Sequence, residues 1–501
     1  MQRRKKIPTL LIQNLNKKGE TMKRLLSRAL LLIYFFPVHA HSSSFLMPRS
    51  VTHNATLELA LATYHIYRDP TADCSSWDFY VTPFYMQSHN SNQIARSFLP
   101  NNNCTLNIQE NGSGNICSLW LDLIAPPGLF YSSTMTLSPV SKTVGGYFYG
   151  RFYFGNCCDT NSWWIHNAWF SLSCAAMRVT HALNIEETLT GNMAYGTIPC
   201  VTTGIQAFNN PHWCYGKLSP HAHSDSGIDD IQLKLGTNYY STSNKGRIGC
   251  YLVGTIPTGT KPHAQVLFEP LVGTRHGALG GGIMGDYTGP IGEHGQWSLL
   301  SDLKYRYLFS GREIRSCDLA GNGDWSRYML FVNAATTSLS FPAINNCTLP
   351  VNVTPRSQIE YWLAMHYAHC AWNVELGYNV WWRATDAITP LCSLPAHVGI
   401  YDLAGTVSGN PTSASQANIS QSAIGPNQAP SDAVFTPSTR FNCASAAQQS
   451  TATNSLYLAF SYNGDVCDEY PWLCGIGGGY EWALHHALAQ GSIWAKLGIL
   501  F

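Results

Sequence analysis

Seven charged side chains, Lys234, Asp302, Lys304, Arg306, Glu375, Arg383 and Glu481, stand on the polar face of segments whose other face is apolar. Fixed charges of both signs aimed to one side of several strands can orient a solute and bias ion passage, so they are the candidate lining of a pore. The same set could instead neutralise itself in internal salt bridges and fill a closed lumen. His212, Cys214, His221 and His223 crowd one connection, and imidazole and thiolate are ligands for transition metals. Loop histidines are more often plain polar surface, and no metal is assigned. Gly280-Gly281-Gly282 and Gly477-Gly478-Gly479 lack the Lys-Ser or Lys-Thr that follows in a phosphate loop; in strands such runs permit tight curvature. The chain holds no nucleophile elbow and no metalloprotease helix motif. No catalytic residue and no cofactor is therefore assigned and an enzyme is not expected, although a triad assembled in space leaves no local trace.

These charges need strands to hold them. Ile231, Leu233, Leu235, Thr237 and Tyr239 alternate with Gln232, Lys234, Gly236 and Asn238. Leu299, Leu303, Tyr305 and Tyr307 oppose Asp302, Lys304 and Arg306; Trp372, Val374, Leu376 and Val380 oppose Glu375 and Arg383; Leu456, Leu458 and Phe460 oppose Tyr457 and Ser461; Trp472, Ile476 and Tyr480 oppose Glu481. A period of two belongs to a strand with one face against something apolar. Softer strand signals cover 77–87, 116–124, 129–139, 144–154 and 164–181. Leu57, Ala60, Leu61 and Tyr64 have helical spacing instead, and predict a short helix over 55–67, near or inside a mouth, with a first strand as the alternative. The last ten residues carry the clearest pattern: Ile493, Ala495, Leu497, Ile499 and Phe501 make one oily face, with the length of about 9–11 residues that crosses a bilayer.

This terminal pattern resembles that of bacterial outer-membrane β-barrel proteins, whose last strand characteristically ends in Phe with apolar residues at the same alternate positions. The stretches 251–259, 302–309 and 322–328 are similar to segments of uncharacterised predicted outer-membrane barrels. By size the chain is also similar to long-chain fatty acid transporters of the outer membrane, with no residue motif to carry over. The resemblance implies an all-β, transmembrane antiparallel up-and-down β-barrel surrounded by outer-membrane lipid. It also implies that the terminal strand, through Ile493, Ala495, Leu497, Ile499 and Phe501, is the insertion signal for the barrel-assembly machinery.

Walking back from a terminus placed in the periplasm, the outer connections become 185–227, 258–273, 311–357 and 385–453, with a short exception near His485. The inner ones become 241–245, 289–295, 370–371 and 464–470. Long loops on one side and tight turns on the other belong to a membrane barrel, not to a sandwich. Fifteen candidate strands are one too many for the even number of a bacterial barrel. Setting aside 104–109, the weakest, predicts fourteen, with twelve and sixteen also compatible. Residues 406–432 read as an outer loop rich in Ser, Asn, Ala and Gln, and 325–332 as a short helix or an irregular loop against the mouth.

Composition agrees with a membrane sheet. Charged residues make up 12% of the chain, against roughly 25% in soluble domains. Lys23, Arg24 and Arg28, an oily core over 29–37 and Val38-His39-Ala40 read as a cleaved export signal, with 1–21 an extended flank. The predicted organisation is flank and signal over 1–40, an N-terminal segment with a mouth or plug helix over 41–76, and a single barrel over 77–501. Removing 1–40 takes nine of 30 basic and one of 29 acidic residues, leaving 21 against 28, which does not suit nucleic acid. Past residue 40 no stretch of about 18 apolar residues occurs, so a membrane chain must cross as a closed sheet.

The 16 cysteines sit in a context that permits disulfides, yet spacing alone sets no pairing. Cys250 and Cys474 fall on apolar faces as small hydrophobes. The expected function is a passive outer-membrane pore for small solutes, with an oligomer compatible. Alternatives are a structural or adhesive surface protein with a closed lumen, and a secreted soluble all-β glycoprotein. The last rests on the N-x-Ser/Thr triplets at Asn54, Asn103, Asn111, Asn346, Asn352 and Asn418.

Overall fold

Alternating side chains build twelve strands that close on themselves, with one further strand appended. In chain order they are β1 (Ser76–Ser88), β2 (Val140–Tyr153), β3 (Ala168–Ala182), β4 (Ile231–Tyr240), β5 (Gly246–Ile256) and β6 (Ala278–Ile291), followed by β7 (Gly295–Leu308), β8 (Arg356–His369), β9 (Trp372–Arg383), β10 (Thr451–Val466), β11 (Tyr470–Ala483) and β12 (Gln490–Leu500). The computed structural model describes residues 42–62, 75–110, 113–154, 168–194, 201–240, 245–291, 295–333, 340–395, 398–401, 417–421, 441–466, 470–484 and 486–501. The export signal, the end of the 55–67 helix and most of the 406–432 loop lie outside the described residues.

Each strand pairs antiparallel with its neighbour in sequence, and β12 returns to β1 from Gln490 beside Ser88 to Leu500 beside Asp78. Trp77 and Phe501 then exchange two backbone hydrogen bonds, at 3.0 and 2.9 Å. The expected alternation of the last strand is present: Ile493, Leu497 and Phe501 point out, while Trp494 and Lys496 point in. Ile248 and Leu252 are each 65% exposed and Ile493 64%. A continuous belt of such side chains does not suit a surface in water, and matches the hydrocarbon-facing band of a membrane barrel. Aromatic contacts, Tyr470 on Phe501 at 5.9 Å and Trp372 on Tyr462 at 5.1 Å, mark the rim where the chain ends. Among the described residues no helix is long and apolar enough to cross a membrane. The molecule is a transmembrane β-barrel of the outer-membrane type.

The strand count is twelve, within the expected range of twelve to sixteen and two below fourteen, and the difference lies in 89–139. Segments 116–124 and 129–139 are not barrel strands. Ser132–Leu137 pairs with Thr105–Gln109 and Ile185–Leu189 in a separate four-stranded sheet, whose fourth member is Ile116–Cys117. These pieces are too short to cross a bilayer, yet half-buried strands alternate in the same way in any sheet. The set-aside stretch 104–109 does hold a strand, in that sheet. Together with the helix α2 (Ser91–Phe98) it forms an outer cap, whose core includes Ile94, Phe98, Ile108, Trp120, Phe208 and Trp325. Residues 325–332 enter the same core as a 3-10 turn, Ser326–Tyr328, followed by a short strand, Leu330–Asn333.

One strand is broken on purpose by its sequence. The inner half of β3 pairs with β4, Ala168 beside Thr237, and its outer half with His223–Ile228, Ala176 beside Ile228. The register slips by one residue between the halves, at Asp229-Asp230. This bulge reverses which alternate positions face inward, so two consecutive aspartates are both buried.

Candidate functional site

Alternation that sends Ile and Leu outward sends the charges inward. Lys234, Asp302, Lys304, Arg306, Glu375 and Arg383 are buried inside the barrel, and Glu481 retains some exposure. They do not face open solvent there, because residues 42–62 run down the lumen. Ser43 and Ser44 hang from the cap, Ser43 donating its backbone N–H to Ser97 and Ser44 to Ser445. The chain then descends through the helix α1 (Ala55–Leu59), capped by Asn54, whose side chain accepts from Thr56 N–H. The helix predicted near or inside a mouth therefore lies within the barrel.

The wall charges meet this plug group by group. Glu58 is ion-paired to Lys234 and, at 3.1 Å, to Lys304. Lys496 Nζ donates to the carbonyls of Glu58 and Ala60 at 3.1 and 2.5 Å, closing the last turn of the helix. Arg49 pairs with Glu360 and stands 3.6 Å from Glu481. The Glu360 carboxylate also accepts from Ala55 N–H at 2.7 Å. Deeper, Glu375 accepts from Leu61 N–H at 3.1 Å and from the Tyr457 hydroxyl at 2.6 Å. At the bulge, Asp229 accepts from Ser50 Oγ and Thr52 N–H, at 3.0 and 2.8 Å.

Two glycines on the inner wall have a reason beyond curvature. Gly282 lies under the Tyr251 ring and Gly377 under the Tyr457 ring, where a Cβ would collide. Each ring lies flat on the wall, and its hydroxyl reaches a carboxylate, Asp302 at 2.9 Å in the first case and Glu375 in the second.

Electrostatics in the plug follow from these contacts. Burial by itself would raise the Glu58 carboxyl, but the Lys234 and Lys304 charges hold it well below the usual carboxylate range. His53 is pushed well below the ordinary imidazole value, first by burial and then by the nearby Arg306, Lys304 and Arg49 charges. Asp229 moves the other way: burial, then the Asp230 charge, push it up against its hydrogen bonds. The voids beside the plug are small, about 20 to 40 Å³, room for a few waters each.

No family model matches the chain, and no curated protein matches it. Solved structures with which it shares a likeness include an outer membrane channel from Pseudomonas putida F1, at 8% identity over 86% of this chain and 97% of that one, with a TM-score of 0.35. Another is a Pseudomonas aeruginosa FadL homologue, at 7% identity over 91% and 99%, with a TM-score of 0.30. The Pseudomonas putida toluene transporter TodX follows, at 9% identity over 92% and 99%, with a TM-score of 0.27.

Sequence reasoning missed the partners of its own candidates. Lys496 was legible, standing between Ala495 and Leu497 on the inward phase, and Glu360 likewise between Ile359 and Tyr361. Glu58 carried no such signal, since its meaning comes from lysines on other strands. Arg383 pairs with Asp386 at 2.5 Å and not with the plug. His212, Cys214, His221 and His223 are not gathered: among the described residues no group of three or more His, Cys, Asp or Glu is placed to hold a metal ion.

Proposed function

We propose that the protein is a passive outer-membrane channel for small solutes, held closed by residues 42–62, and that it is not an enzyme. One observation carries this reading: the plug is docked through Glu58, set between two wall lysines. Small apolar side chains of the plug, Val51, Ala55 and Leu57 among them, fill gaps against the wall. A barrel that only had to be filled would gain more from apolar packing throughout, because replacing a buried ion pair with well-packed hydrophobic residues is often neutral or stabilising. Charges on the wall can exchange the plug for water or a solute, whereas an apolar wall cannot.

Conductance in planar bilayers tests this. Deletion of 42–62, or Glu58→Ala, should raise single-channel conductance several-fold over the full chain. Silence from both variants, with barrels that still show heat-dependent gel mobility, would refute the channel and favour a closed surface protein presenting its cap. The proposal extends to biogenesis: a cleaved signal ending at Ala40, checked by sequencing the mature N-terminus, and recognition of the Phe501 strand by the assembly machinery. Removing Phe501 should lower the yield of folded barrel in the outer membrane.

A further inference from the structure

The outer end of the molecule holds three cysteines in adjacent positions. Gly311–Ser316 pairs with Thr348–Thr354, Ser316 beside Thr348, and Asp318–Leu319 pairs with Phe441–Asn442, Asp318 beside Asn442. Continuing both registers by one residue sets Cys317 beside Cys347, the last residue of the helical turn Ile344–Cys347, on one side and beside Cys443, the first of the 3-10 turn Cys443–Ala446, on the other. Cys317 donates its backbone N–H to the Cys347 carbonyl at 2.9 Å. In a strand the N–H and C=O of a residue point the same way, so its Cys443 side is the narrow, non-hydrogen-bonded kind. Such pairs have Cα atoms about 4.5 Å apart, inside the roughly 4.4–6.8 Å that a disulfide spans. The neighbouring Cys443 side chain, and then burial, raise the Cys317 thiol. Cys317 is buried with Leu349, Val351 and Ala446, while Cys443 is half-exposed.

We propose that Cys317 and Cys443 form a disulfide in the exported protein. The oxidant is the disulfide of an envelope thiol–disulfide exchange partner. The Cys443 thiolate attacks it and one partner sulfur leaves as a thiolate; Cys317 then attacks Cys443 Sγ and expels the second, its proton passing to a departing thiolate. Two S–H bonds become one S–S bond, and the partner disulfide becomes a dithiol. Accessibility sets the order, since only Cys443 can be reached from outside. The bond would tie the connection after β7 to the end of the connection before β10. Both flank the start of the plug: Ser44 donates its N–H to the Ser445 carbonyl at 2.7 Å and its hydroxyl to that of Ser316 at 2.5 Å.

The test uses outer membranes from cells exporting the full chain, alkylated in denaturant with N-ethylmaleimide and digested with trypsin without reductant. Mass spectrometry should find the 316–327 peptide joined to one beginning at Phe441, two hydrogens lighter than the two alone and separated by reductant. Cys443→Ser should leave Cys317 labelled, and Cys347→Ala should leave the junction intact. Recovery of Cys317 and Cys443 on separate peptides, each carrying maleimide, overturns the proposal. So does Cys317 joined to Cys347.

Discussion

In the outer cap Phe208, Trp213, Trp325 and Tyr328 meet ring to ring at 4.9 to 5.9 Å, sealed from solvent, with one buried ion pair, Arg327 to Asp318 at 2.8 Å, laid against them. Within the barrel Glu58 is sealed just as completely, but between lysines. The two regions share residues 42–62, which start in one and end in the other. The cap is packed like a soluble domain and gains from every apolar contact. The cap buries its Arg327–Asp318 pair within one stretch of chain, whereas in the lumen the buried pairs join the plug to the wall. A seam that includes ion pairs exposes less oil when it opens into water than one of rings alone, so the difference favours permanence in the cap and reversibility in the plug.

The largest effect should come from breaking the cap. Trp325→Ala leaves a cavity and orphans the Phe98 carbonyl that its indole N–H reaches at 2.7 Å. We expect a loss of about 3–5 kcal/mol, read as proteolysis of the outer segments while the barrel core stays resistant. A cap unaffected by this change would mean that it is not a packed domain. On the barrel wall, Leu252→Arg should cost about 2–4 kcal/mol in urea titrations of barrels folded into liposomes. No change would remove Leu252 from hydrocarbon.

The sharpest test of the contrast turns the lumen into cap-like material. Glu58→Leu combined with Lys234→Met and Lys304→Met should leave stability unchanged or raise it by about 1–4 kcal/mol, while abolishing any conductance that Glu58→Ala reveals. If the triple variant is strongly destabilised, the triad is a structural necessity and not a seam.

What the sequence disclosed follows the same division. From Ile231 onward the barrel is legible, because a strand wet on one side and oily on the other repeats every two residues, and the tight inner turns at 370–371 and 464–470 fall where the pattern stops. The inward charges were legible for the same reason. The cap was not, since Ser132–Leu137 alternates like any half-buried strand and only its length betrays it. Asp229-Asp230 was invisible, as two adjacent acids read as loop until a register slip turns both inward. Glu58 needed its partners, which lie 176 and 246 residues away in the chain.

The smallest predicted effect is the pH dependence of the plug. Docking buries Asp229 beside Asp230 and raises its carboxyl, so the docked state holds a proton that the released state gives up at ordinary carboxylate values. The Asp229 contribution to docking is therefore full below the ordinary carboxylate value of 3.8 and is lost as pH rises from there through the raised docked value, by at most about 1.4 kcal/mol per pH unit for one proton. Glu58 acts in the opposite sense: its depressed carboxyl contributes fully above the ordinary value of 4.5 and loses strength only as pH falls below it. Conductance should accordingly be lowest near these two ordinary carboxylate values, 3.8 and 4.5, climb as pH rises from there, and level off once docked Asp229 has given up its proton. Asp229→Asn, which keeps an acceptor for Thr52 but carries no charge, should flatten this rise and leave the acid limb. A rise that survives this substitution would assign the upper limb to another group and detach the bulge from the plug.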